Sequence, residues 1–170
     1  KIIEILPQID IKIRFVEGEQ HVILNGEDVS EEIRLPEISM AASNVSSIPE
    51  VREFLLEFQH KLARENNVLM DGRDIGTVIL PNADVKIFLT ASAEERANRR
   101  FKQLSEKPDC PTYEDILNDI IKRDYNDSHR AAAPLKQADD AVLIDSSSMN
   151  ILETIEKISE VINQKLGGAK

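Results

Sequence analysis

From Pro49 onward the chain alternates short apolar runs with longer amphipathic ones, and this alternation restricts the fold more than any other feature. Val68 to Met70 and Val85 to Leu89 are short, apolar and β-prone, and "AVLID" from Ala141 reads as a further strand. Ala93 to Leu104, Tyr113 to Tyr125 and Ile151 to Leu166 have helical patterning. "PEVREFLLEFQHKLARE" begins with a first-turn proline and repeats Val51, Phe54, Leu55, Phe58 and Leu62 on one face. Strands alternating with helices predict an α/β domain built on a parallel sheet. Ligands of such sheets sit beyond the carboxyl ends of the strands. Asp71 to Asp74, Thr90 to Ser92 and Asp145 to Ser147 all follow expected strands in that place.

Upstream the pattern differs. "IDIKIRFVEG" and "HVILNGEDV" alternate at period two, and Glu17-Gly18 and Asn25-Gly26 are turn signals, so Ile9 to Leu35 reads as a short antiparallel meander. "EISMAASNVSSI", flanked by Pro36 and Pro49, reads as a short helix followed by a loop. "KIIEILPQID" resembles the last turn of an amphipathic helix ended by Pro7, as though residues preceded it. With 170 residues, 41% hydrophobic and 31% charged, the chain suits one folded domain with an insertion.

The net charge of −10 argues against a general nucleic-acid binder, which needs a basic face. Cys110 is the only cysteine, which excludes an intrachain disulfide framework and a zinc–cysteine pattern and suits a reducing cytoplasm. No apolar run is long enough to cross a bilayer, and "KIIEILPQID" lacks the features of a signal peptide.

A small anionic ligand is compatible with this balance if arginines gather locally. Six of the ten arginines fall in three clusters: Arg73; Arg96, Arg99 and Arg100; and Arg123 with Arg130. Arg123, Asp127 and Arg130 stand at i, i+4 and i+7, one stripe if the helix persists. Two guanidiniums around a carboxylate suit a sugar phosphate, with the carboxylate accepting from ribose hydroxyls. A solvated helix face laced with ion pairs is the competing account. Asp71, Arg73 and Asp74 are likewise either a ligand site or an ion-pair knot at a tight turn. His21, His60 and His129 have no metal-ligand spacing. Serines 146 to 148 suit a loop and helix start.

Two long stretches carry a resemblance. "MDGRDIGTVILPNADVKIFLTASAEERANRR", followed by "IKRDYNDSHRAAAPLKQADDAVLIDSS", closely resembles bacterial cytidylate kinases, and "GEDVSEEIRLPEISMAASNVSSIPEVRE" resembles that family's insertion in the monophosphate-binding domain. The resemblance implies a P-loop nucleoside monophosphate kinase-like α/β fold. Residues 1–50 would be the monophosphate-binding region and 51–170 the rest of the core, with a lid at about 96–115. It implies transfer of the γ-phosphoryl group of ATP, with Mg²⁺, to CMP or dCMP in a cytoplasmic, monomeric enzyme acting on neither nucleic acid nor membrane.

By the same resemblance Ser43, Arg52 and Asp74 match positions that read cytosine. Arg73, Arg123 and Arg130 match positions that hold the CMP phosphate and act catalytically, and Asp127 matches the ribose position. Arg96, Arg99 and Arg100 match the start of the lid near ATP, and no protein metal ligand is implied, although Asp71 is either structural or near the metal. Such kinases begin with a strand and a Gly-rich phosphate loop, and this chain contains no G-x-x-x-x-G-K-S/T. The strand expected centrally, between those at Val68 and Val85, would be absent, leaving a gap or an exposed apolar edge. Two alternatives stand beside the kinase: a non-catalytic CMP-binding fragment, and a kinase for another nucleoside monophosphate, which the insertion and the Ser43, Arg52 and Asp74 set disfavour.

Overall fold

The computed structural model describes residues 2–46, 48–105, 110–130 and 132–167, but not the side chains of residues 36, 37, 39, 40 and 43. The chain forms two compact units, Lys1–Val68 and Leu69–Lys170.

In the first unit a short helix α1 (Ile2–Ile5) passes into a 3₁₀ turn containing Pro7 and then into an antiparallel sheet. Its strands β1 (Ile11–Val16), β2 (Glu19–Leu24) and β3 (Glu27–Asp28) form the expected meander in the order β1-β2-β3. Glu17 and Gly18, and again Asn25 and Gly26, all have positive φ, the two-residue reversal whose twist matches that of the strands. A polar staple fixes the end of the meander: Asp28 accepts from the Ser30 amide at 3.0 Å and hydroxyl at 2.5 Å, while its other oxygen lies 2.6 Å from His21 Nδ1. These bonds hold the Asp28 carboxyl at about 2, the Ser30 hydroxyl contributing most. Helices α2 (Pro36–Val45) and α3 (Pro49–Glu65) both start on proline, where a missing amide hydrogen goes unnoticed. Val51 of α3 and Leu6 are buried in this unit.

The second unit contains the α/β alternation. Strands β4 (Ile87–Thr90) and β5 (Val142–Asp145) pair in parallel, Ile87 opposite Val142. Helix α4 (Ala93–Leu104) is capped by Ser92, whose hydroxyl accepts from the Glu95 amide. Helix α5 (Tyr113–His129) is capped by Thr112, whose hydroxyl accepts from the Asp115 amide and donates to the Asp115 carboxylate. In α6 (Ile151–Gly167) Asn150 accepts from the amides of Leu152 and Glu153, so the cap lies just beyond the serine run. Helices α4 and α5 pack through fully buried Ala97, buried Ile116 and an edge-on Phe101–Tyr113 contact at 6.4 Å. Ile144 of β5, Ala91, Ile79 and Val161 of α6 are the other buried apolar residues among those described in this unit.

Two expectations are corrected. Residues 68–70 form no strand, and Leu69 is 93% exposed. A three-residue apolar run cannot stabilise itself as a strand, and among the described residues no neighbouring strand pairs with it. The stripe Arg123–Asp127–Arg130 also breaks, because α5 ends at His129 and Arg130 takes an extended backbone, φ −65° and ψ 142°. The chain then reverses so that the Leu135 amide donates to the Asp127 carbonyl at 2.8 Å. The expected lid comprises the later part of α4, the approach to α5 and residues 106–109, which lie outside the described residues. Among the described residues no helix is long and apolar enough to cross a membrane.

Candidate active site

Asp71-Gly72-Arg73-Asp74 leads into a single π-helical turn, Ile75–Ile79. The Asp74 carbonyl accepts from the Val78 and Ile79 amides at 2.9 and 3.3 Å, so Asp74 is part of the turn's hydrogen-bonding frame. Gly72 is required by close approach: a Cβ there would lie 2.9 Å from the Ile75 Cγ1 that folds back over it. Such wide turns recur at functional sites, where they redirect a side chain.

Helix α5 brings the complementary charges. Asp127 Oδ2 accepts from Arg73 Nε at 3.0 Å and lies 3.8 Å from Arg123 Nε, one helical turn away. Arg130 donates through Nε to the Ala133 carbonyl at 2.6 Å and places Nη2 3.4 Å from Asp74 Oδ1. That Nη2 is buried and ion-paired but makes no hydrogen bond.

Five of the residues expected to bind the acceptor nucleotide thus converge: Arg73, Asp74, Arg123, Asp127 and Arg130. Their burial is unequal. The side chains of Asp74 and Asp127 are only 9% and 12% exposed, whereas Arg73 and Arg123 are 42% and 52% exposed. The carboxylates therefore act as internal anchors and the guanidiniums keep their outer faces open. Three guanidiniums against two carboxylates leave one positive charge in excess, which favours an anion.

The remaining expected residues are carried by other elements. Arg52 is on α3 in the first unit, where it donates to the Ser46 carbonyl at 3.3 Å. Ser43 is in α2, and its side chain is outside those described. Arg96 is held by Asp124 in a two-pronged ion pair at 3.0 and 2.5 Å and also donates to the Ala91 carbonyl. The hydrogen bonds to Asp124 push its pKa further up. Arg99 donates to Glu95 and to the carbonyls of Ser146 and Met149, bracing the loop between β5 and α6 against α4. Arg100 is exposed. Asp124 escaped the sequence argument because its partner is 28 residues away and no local spacing announces it.

The profile of the family described as cytidylate kinase matches residues 1–164. The chain belongs to the cytidylate kinase family. It is similar to the cytidylate kinase of Caldicellulosiruptor bescii, 55% identical over 95% of this chain and 71% of that protein. The cytidylate kinase of Carboxydothermus hydrogenoformans is 46% identical over 95% of the chain and 72% of its own length, and that of Pasteurella multocida is 48% identical over 93% and 70%. The chain is accordingly that of an enzyme, a kinase of the transferase class acting on cytidylate.

Proposed function

We propose that the Arg73–Asp74–Arg123–Asp127–Arg130 cluster is the acceptor half of the kinase site, binding CMP or dCMP while the γ-phosphoryl group of ATP is transferred. One observation carries this reading: buried carboxylates hold arginines whose outer faces are open, with a buried Arg130 Nη2 still lacking a hydrogen bond. An arriving phosphate would supply the acceptor oxygens that these groups lack. Arg73, Arg123 and Arg130 would then hold the CMP phosphate, and Asp127 would accept from a ribose hydroxyl through an oxygen not used by arginine. Asp74 would accept from the exocyclic amine of cytosine, with Ser43 and Arg52 completing base recognition. Uracil presents a carbonyl there and would leave two acceptors facing each other.

In the transfer, an oxygen of the CMP phosphate attacks the γ-phosphorus of ATP. The bond from that phosphorus to the β,γ-bridging oxygen breaks, and its electron pair leaves with ADP. The protein aligns the reactants, excludes water and stabilises charge on the phosphoryl oxygens. Arginines meet these needs without a covalent intermediate. Mg²⁺ would neutralise charge on the ATP phosphates, held mainly by those phosphates and at most one or two carboxylates. The described residues contain no group of three or more His, Cys, Asp or Glu able to cage a metal. An ion carried by ATP does not require one.

ATP would be cradled by a Gly-rich phosphate loop of the family's kind, a motif that these 170 residues do not contain. Leu89 and Leu143, exposed on opposite faces of the β4–β5 pair, are consistent with further packing against those faces. Residues 1–50 would form the monophosphate-binding region and 51–170 the rest of the core. Residues 96–115 would form the lid, with Arg96, Arg99 and Arg100 on the ATP side. The enzyme is taken to be a cytoplasmic monomer, and its net charge disfavours nucleic acid as a partner.

The test is a comparison of CMP, dCMP, UMP and AMP as acceptors for the full-length enzyme, alongside Asp74→Asn. We expect preference for the two cytidylates and its erosion by the substitution. An unchanged acceptor ranking in the variant would remove Asp74 from base recognition.

A further inference from the structure

Lys86 and Asp140 stand outside the acceptor cluster but join the same two chain segments that carry Asp74 and Arg130. Lys86 immediately precedes β4, and its side chain is only 8% exposed. Its ammonium donates to both Asp140 oxygens at 2.8 and 2.7 Å and to the Pro81 carbonyl at 2.5 Å. All three ammonium hydrogens are thereby used. The stem of Lys86 runs past Gly76 in the π-helical turn, where a Cβ would lie 3.4 Å from Lys86 Cδ and 3.9 Å from Ala138 Cβ. The Val142 amide in turn donates to the Lys86 carbonyl at 2.9 Å, extending the β4–β5 ladder.

Residues 74–81 and 130–140 are therefore cross-linked twice. At one end Asp74 meets Arg130; at the other Lys86 grips Pro81 and Asp140 while its stem and Ala138 border Gly76. If the second link loosens, one contact fewer holds the turn against the segment after α5, and the ion pair at Arg130 Nη2 adds no hydrogen bond at that atom. Asp140 is itself held below the usual carboxylate range, chiefly by the Lys86 hydrogen bond. We infer that the Lys86–Asp140 pair is a positioning element for the acceptor nucleotide, fixing the π-helical turn against the segment after α5 so that Asp74 and Arg130 present a set geometry. This inference rests on the acceptor-site assignment made above.

The experiment measures KM for CMP, KM for ATP and kcat in full-length enzyme carrying Asp140→Ala, Asp140→Glu or Lys86→Met, with thermal unfolding recorded for each. Arg130→Met and Asp74→Asn are measured beside them. The inference predicts a three- to tenfold rise in KM for CMP in Asp140→Ala and Lys86→Met, an ATP KM within twofold of wild type, and substantial recovery in Asp140→Glu. It is overturned if Asp140→Ala lowers only the unfolding temperature, or if the two KM values rise together. If Arg130→Met and Asp74→Asn leave CMP kinetics unchanged, the site assignment fails and this inference with it. If those variants impair CMP use and Asp140→Ala does not, the positioning role alone is refuted.

Discussion

Arg130 offers the sharpest test of the acceptor site, because the chemistry expected of it differs in size from its structural contribution. Arg130→Met keeps an apolar stem of similar length and removes the guanidinium. At the observed 3.4 Å from Asp74, a unit-charge pair at an effective dielectric near 20 is worth about 5 kcal/mol. Lacking a hydrogen bond at that atom and retaining 22% side-chain exposure, the pair should have a net coupling of about 2 kcal/mol. Unfolding of Arg130→Met, Asp74→Asn and the double variant gives that coupling directly. Catalysis should suffer more. Loss of one well-placed guanidinium from a phosphoryl-transfer site removes about 3 kcal/mol of transition-state stabilisation, roughly a hundredfold in kcat/KM for CMP. A coupled ADP-release assay on full-length enzyme reads this, and Arg130→Lys should recover only part, since an ammonium keeps the charge but not the fork. A fall of less than about threefold, far below the effect sizes usual for such groups, would refute the phosphate-binding role of Arg130.

Other expectations are more local. The Asp28 carboxyl, at about 2 when folded and 3.8 as its ordinary value, stabilises the meander fully above about pH 4. That contribution is lost as pH falls through about 2, and Asp28→Asn should abolish this part of the acid dependence in an NMR-monitored titration. Thr112→Ala removes the cap of α5 and should lower stability to denaturant by about 1 kcal/mol. Gly76→Val should cost about 1–3 kcal/mol through overpacking against Lys86, whereas Gly76→Ala, at ordinary contact distance, should be tolerated. Equal stabilities for the two Gly76 variants in denaturant unfolding would contradict the close packing described.

Structure set by short-range forces is legible in this sequence, and structure set by long-range contacts is not. The Glu17-Gly18 and Asn25-Gly26 reversals, the proline start of α3, and the β4–α4, α5 and β5–α6 alternation were legible because each signal lies within a few residues of the structure it specifies. "DGRD" and "RDYNDSHR" could be identified as charged clusters, but spacing alone left ion-pair knot and ligand site both open. Resemblance to the kinase family favours the ligand site, which the acceptor comparison with Asp74→Asn tests.

Three features needed the tertiary structure. Arg73 reaches Asp127 across 54 residues, Lys86 reaches Asp140 across another 54, and Arg96 finds Asp124 rather than standing free at a helix face. Arg130 leaves the helical stripe that its spacing suggested, because the reversal before Leu135 ends α5 and turns its guanidinium toward Asp74. Residues 68–70 have strand composition and no strand partner among the described residues. Local pattern thus determined the helices, and the strands wherever a pairing partner exists, since backbone preference and amphipathic period act over one or two turns. Which charges meet was decided only on closure of the chain, because a carboxylate's partner depends on what folding brings near it.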